Sequence, residues 1–137
     1  MIFQRSIVIA TAGRGSQEIT DPINEIVAES AIPVGLCHVF IKHTSASLII
    51  SENADPDVHR DLELFMSRTV SDGDVDFLHI AEGPDDMSAH IRSVLTQTDL
   101  SVPVIDGRCG LGTWQGVYLW EHRTSPHQRH ITVTIVS

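Results

Sequence analysis

The chain has 137 residues, of which 42% are hydrophobic, and a formal net charge of −9. That length predicts one domain, residues 1–137, able to bury its own core. Nine Lys and Arg residues against eighteen Asp and Glu exclude bulk nucleic-acid binding, which needs a basic surface. A small anion remains possible, because a metal ion or a few arginines can reverse the potential locally. No apolar run approaches membrane-spanning length, and Met1 to Ala10 lacks the pattern of a signal peptide, so a cytoplasmic protein without a membrane partner is expected. Cys37 and Cys109 stand far apart in sequence and outside any CxxC arrangement, which reads as two reduced thiols.

Residues 4–11 end in Ser6-Ile7-Val8-Ile9, a predicted strand, and Gly13 to Gly15 is a turn. Thr20-Asp21-Pro22 opens a helix with Ile23, Ile26 and Val27 at helical spacing. Pro33 and Gly35 end it, and residues 36–42 form a strand with Cys37, Val39 and Ile41 on one face. Leu48-Ile49-Ile50 is a second apolar run. Asp55-Pro56 starts a stronger helix whose stripe is Val58, Leu62, Phe65 and Met66. A turn at Ser71 to Asp74 precedes a short strand near Phe77-Leu78. A third helix, capped by Asp85 or Asp86, runs to about Leu95. Three strands follow, at 101–105, 112–121 and 130–136. Strands with about three inserted helices and no regular βαβ alternation predict an α+β domain with a largely antiparallel sheet.

Residues 79–90 concentrate two histidines and three carboxylates around the Gly83-Pro84 turn. On the helix Asp86 and His90 lie four residues apart and share a face. A carboxylate beside an imidazole fixes its tautomer for proton transfer or metal binding. His122, at the end of an aromatic strand bearing Trp114, Tyr118 and Trp120, can join His79 and His90, since three histidines with an open position suit a catalytic metal. His43 lies at a strand end beside Thr44, Ser45 and Ser47, and these hydroxyls read as substrate or phosphate contacts. Arg108 lies in a glycine-rich segment, where a guanidinium suits phosphate. His59 reads as a surface or packing residue.

These motifs together resemble the YjbQ-like family, also described as the secondary thiamine-phosphate synthase family. The matching residues are His43-Thr44-Ser45-Ala46-Ser47-Leu48, Glu52-Asn53-Ala54-Asp55-Pro56-Asp57-Val58, and His79 with Glu82-Gly83-Pro84-Asp85-Asp86-Met87 and Ala89-His90-Ile91. Asp106-Gly107, Leu111-Gly112-Thr113-Trp114-Gln115-Gly116 and Leu119-Trp120-Glu121-His122 complete the match. The resemblance implies a compact α+β subunit in a homotrimer, with histidine-rich pockets near subunit contacts. It also implies a weak thiamine-phosphate synthase activity, joining a pyrimidine methyl diphosphate to a thiazole phosphate and releasing pyrophosphate.

The combined expectation has three parts. His43, Glu82, Asp86 and His90 are the catalytic candidates. Ser45, Ser47, Arg108 and Gln115 would contact a small phosphorylated substrate. His79, His90 and His122 would hold a divalent metal ion, zinc if the imidazoles dominate and magnesium if the carboxylates do. Two alternatives stand beside it: a metal-dependent hydrolase with Glu82 or Asp86 as base, and a non-catalytic metal- or ligand-binding trimer.

Overall fold

The fold is described from a computed structural model covering residues 1–137. Its elements in chain order are β1 (Ile2–Ala10), β2 (Gly15–Glu18), α1 (Thr20–Ser30), β3 (Val34–Ile41), β4 (Ala46–Glu52), α2 (Pro56–Thr69), α3 (Asp86–Leu95), β5 (Asp99–Ile105), β6 (Arg108–Cys109), β7 (Gln115–Glu121) and β8 (Gln128–Val136). They build an α+β domain with two antiparallel sheets. One sheet has the order β1-β8-β3-β5-β6 and the other β2-β7-β4.

The period of two in the strands decides what each face does. In the larger sheet Cys37, Val39 and Ile41 of β3 meet Ile135, Val133 and Ile131 of β8, and all six are essentially inaccessible. The smaller sheet contributes Ala46, Leu48, Val117 and Leu119 to the same core, and α1 closes it with Ile23, Ile26 and Val27. β7 lies in the middle of its sheet and is buried on both faces. Trp120, on its other face, packs with Met66 and Val70 against Leu62 and Ile91, so α2 and α3 cover that side. Of the aromatic residues that alternate in the sequence, Trp120 alone enters this second, smaller core, while Trp114 precedes β7 and is exposed and Tyr118 packs on His59.

Two local expectations are corrected. No strand forms near Phe77-Leu78. Between α2 and α3 the chain runs through successive turns, with Gly73 and Gly83 at positive φ, and Leu78 is 96% exposed. Phe65 is 65% exposed, because the helix directs Leu62 and Met66 rather than Phe65 toward Trp120. The short strands β2 and β6 carry too little hydrophobic pattern to be read from sequence. Asp55 does cap α2, accepting the Asp57 N–H at 2.9 Å, and Glu52 assists by accepting the Asp55 N–H at 3.1 Å.

No helix is long and apolar enough to cross a membrane. The outer face of the larger sheet carries an exposed apolar row, in which Ile2, Val136, Leu36 and Pro103 lie side by side across four strands.

Close approach of β3 and β8 demands a glycine at position 35. A Cβ there would stand 2.3 Å from the Val136 carbonyl oxygen, a backbone atom that cannot swing aside. Gly35→Ala is expected to destabilise the domain by about 1–3 kcal/mol, as overpacking does. Urea denaturation measures it, and an unchanged midpoint would contradict the packing described.

Candidate functional site

The site forms where the turn-rich segment before α3 meets the end of β7. Gly83, at φ 105°, reverses the chain so that His79 faces the first turn of α3. Asp86 and His90 sit one helical turn apart on α3. His79 Nε2 lies 2.6 Å and His90 Nε2 3.1 Å from the same oxygen, Asp86 Oδ2. One ligand atom from each residue falls within 4.8 Å of the other two. The other carboxylate oxygen, Asp86 Oδ1, pairs with Arg123 Nη1 at 3.0 Å. Arg123 also donates from Nε to Asp85 Oδ2 at 2.9 Å and from Nη2 to the Glu82 carbonyl at 2.9 Å. Asp85 Oδ2 accepts the Thr124 N–H as well. The guanidinium thus ties the turn, the start of α3 and the end of β7 together.

Electrostatics favour an ionised Asp86. Burial pushes its carboxyl up, but the His79 hydrogen bond and the charges of His90 and Arg123 outweigh that and hold it below the usual range. Asp85 behaves likewise, with burial opposed successfully by Arg123 and the Thr124 N–H.

His90 shows why these groups suit a cation. Its Nδ1 donates to the Thr44 carbonyl at 3.0 Å, so in the neutral ring the lone pair is on Nε2. That lone pair would face a carboxylate oxygen at 3.1 Å, an unfavourable contact unless a proton or a metal ion lies between. A metal-binding histidine commonly fixes its other nitrogen through such a carbonyl. Two imidazoles and one carboxylate form a donor set for a divalent transition metal, with positions left for water or substrate.

The sequence-predicted residues divide into those that meet and those that do not. His79, His90 and Asp86 converge, and Glu82 flanks them with its side chain exposed. His43 and His90 both line a cavity of about 280 Å³ with Thr44, Ser93, Val94 and Thr98. His43 Nε2 already accepts the His130 N–H at 2.7 Å. Burial, with the charge of Arg129, lowers the His43 pKa. Its role is therefore that of a neutral donor through Nδ1 rather than a base through Nε2.

His122 is not part of the metal group, which corrects the expectation of a three-histidine centre. It follows β7 one residue before Arg123, so the two side chains point to opposite sides. It is fully buried and hydrogen-bonded through Nε2 to Ser47 Oγ at 2.7 Å, and its Nδ1 has no partner. Asp86 supplies the third donor instead. Ser47 is fully buried, so it is a packing partner of His122 and not a substrate contact. Ser45 Oγ accepts from Arg129 Nη2 at 3.0 Å, beside the buried Arg129–Glu121 ion pair, which makes Ser45 structural too.

Arg108 and Gln115 lie elsewhere. Arg108 lines a cavity with Asp21, Asn24 and Glu25 beside α1. Gln115 begins β7, six strand steps or about 20 Å from Glu121, and its Oε1 accepts the Gly112 N–H at 2.8 Å. Arg123 is a site residue that no sequence motif marks. Its one signal was adjacency to His122 at the end of an alternating strand.

Among known proteins, residues 5–137 match the family described as UPF0047 protein YjbQ-like. A UPF0047 protein of Synechocystis sp. is 52% identical over 132 residues, covering 96% of this chain and 90% of the relative. UPF0047 protein YjbQ of Escherichia coli O157:H7 is 41% identical, covering 98% of each chain. The crystal structure of an uncharacterized conserved YjbQ/UPF0047 protein from Clostridium acetobutylicum aligns with a TM-score of 0.88 at 32% identity, covering 96% of this chain and 99% of that one. A protein of unknown function from Sulfolobus solfataricus aligns at 0.89 with 26% identity, covering 98% and 96%.

The environment of His122 has a consequence for acid stability. Burial, then the charges of Arg92, Arg14 and Arg129, push its pKa down to about 3. The unfolded chain takes up a proton near pH 6.5 while the folded chain does not, so stability falls as pH drops from about 6.5 toward 3. Between pH 7 and 4.5 the wild type should lose roughly 2–3 kcal/mol more than His122→Gln, at 1.36 kcal/mol per pH unit. Denaturant titrations at both pH values measure the difference. Equal losses in the two proteins would contradict a buried neutral imidazole.

Proposed function

Because the chain belongs to the UPF0047 YjbQ-like family, a membership carried by residues 5–137, we propose that it is a metal-dependent enzyme of phosphorylated thiamine precursors. In this reading it joins a pyrimidine methyl diphosphate to a thiazole phosphate and releases pyrophosphate. The observation that carries the metal dependence is the shared Asp86 oxygen, with two imidazole nitrogens within 3.1 Å of it. His79, Asp86 and His90 would hold the ion. When bound, a divalent cation supplies Lewis-acid stabilisation of a leaving diphosphate.

The chain's own residues do the rest. Arg123 neutralises one side of Asp86 and Asp85 and fixes the direction of the ligand oxygen. The Thr44 carbonyl holds the His90 ring in the tautomer that presents Nε2. The cavity between His43 and His90 receives the substrate's uncharged ring, with the His43 Nδ1–H as donor. Glu82 is exposed beside the site and can accept a proton in the reaction.

A second reading, metal-dependent hydrolysis, is favoured by one observation: no cationic side chain lines the cavity beside His90, while Arg108 lies in another cavity. Water would then be the attacking group, with Glu82 as base. We place either enzyme in the cytoplasm, in keeping with two free thiols. We also propose a homotrimer, which would cover the exposed row of Ile2, Val136, Leu36 and Pro103. Light scattering should give about three times the 15.1 kDa chain mass, and a monomer at micromolar concentration would contradict it.

The functional test uses protein without a histidine tag, stripped of metal and reloaded with zinc, manganese or magnesium. Thiamine phosphate should form only in the reloaded samples. His79→Ala and His90→Ala should each lose more than the roughly 10–100-fold typical of a metal's outer partners, with the circular dichroism spectrum unchanged. Full activity in both variants would overturn the site. Metal-dependent cleavage of a phosphoester without thiamine phosphate would establish the second reading instead.

A further inference from the structure

A serine and a histidine meet beneath α2, on the face of the smaller sheet that α2 and α3 cover, in a place the metal site does not use. Ser16 is on β2 and His59 on α2. Ser16 Oγ lies 2.8 Å from His59 Nδ1, and His59 Nε2 lies 2.6 Å from the Glu52 carbonyl oxygen. A carbonyl only accepts, so Nε2 carries the proton and Nδ1 offers its lone pair to the Ser16 hydroxyl. Tyr118 holds the ring, with centroids 4.1 Å apart, and donates its own hydroxyl to the same Glu52 carbonyl at 3.0 Å. The imidazole is thus clamped in the tautomer and orientation that a base needs.

Two adjoining cavities open on this pair. One, of about 270 Å³, is lined by Ser16 and His59 with Glu18, Asn53, Asp55 and Tyr118 among others. The other, of about 380 Å³, adds Arg60, Leu64 and Ser67. Neither shares a lining residue with the cavity of His43 and His90. Both dyad side chains are half-buried, so a reagent can reach the serine from either side.

We propose that Ser16 and His59 form a second, independent nucleophilic site that takes an acyl group from activated, uncharged acyl donors such as aryl esters or thioesters. The limit to activated donors follows from the start of α2. There the Asp57 N–H is taken by Asp55 Oδ1 and the Val58 N–H by the Asp55 carbonyl, and Pro56 has none to give. The dyad has a base without those donors for a developing oxyanion, which an amide would require and a good leaving group does not. Glu18 and Asp55 on the wall repel anionic donors. In the step, a bond forms from Ser16 Oγ to the acyl carbon as the bond to the leaving oxygen or sulfur breaks. The hydroxyl proton passes to His59 Nδ1 and then to the leaving group. Water reverses the sequence, freeing the serine and releasing the carboxylic acid.

The test incubates the full-length protein with p-nitrophenyl acetate and follows it by intact mass and peptide mapping. One acetyl group on Ser16 is expected, absent in Ser16→Ala. In His59→Gln, and in His59→Asn as a second variant, its formation should slow by about 100-fold, the scale of a lost general base. All three variants should retain the wild-type metal content, which separates this site from the metal-dependent reaction. Acetylation confined to Lys42 or the N-terminus, or a wild-type labelling rate in a folded His59 variant, would overturn the proposal.

Discussion

The buried carboxylate of Asp86 is the constraint on which the site depends. A carboxylate removed from water costs several kcal/mol unless its oxygens are answered by charge and hydrogen bonds. Here both are: Arg123 takes one oxygen and the two imidazoles of His79 and His90 face the other. Each partner arrives from a different part of the chain, His79 from the turn segment, His90 from α3 and Arg123 from the end of β7. The pairing therefore fixes the position of the segment between α2 and α3, which has no strand or helix of its own. It also leaves a donor set that a divalent cation would complete.

The arrangement at the end of β7 shows how one strand serves two purposes. His122 and Arg123 are consecutive, so their side chains must diverge. One enters the packing beneath α3 and stays neutral against Ser47, while the other reaches outward to Asp85 and Asp86. Arg92 on α3 is also fully buried, paired with Glu63 of α2, whose other oxygen accepts the Trp120 indole N–H at 2.7 Å. α2, α3 and β7 are thus held by polar contacts as well as by the small cluster around Trp120. Those contacts keep α3 at a defined distance from the bend that precedes β4, where the Thr44 carbonyl orients His90.

Much of the fold was legible because its signals are local. Alternation in β3 and β8, the Pro-initiated helices α1 and α2, and the i, i+4 pair of Asp86 and His90 follow from period and capping alone. The site was legible only in part. The segment from His79 to His90 announced itself by composition, but His122 looked equally suitable, since sequence spacing cannot tell which way a strand-end residue points. Arg123 and Ser16 carried no motif. Their importance arises from tertiary contact, with Asp85 and Asp86 in one case and His59 in the other. Arg108, among glycines, had the stronger local signal for an anion site and lies beside α1 instead.

The central claim is that two imidazoles and one carboxylate of this chain hold a divalent metal ion. X-ray absorption at the zinc edge, on zinc-reconstituted protein without a histidine tag, reads the ligands directly. The account predicts one ion per chain with two nitrogen ligands near 2.0–2.1 Å and oxygen ligands near 2.0–2.2 Å, and no sulfur. A shell of oxygen alone, a sulfur scatterer near 2.3 Å, or a spectrum unchanged by Asp86→Asn would contradict it.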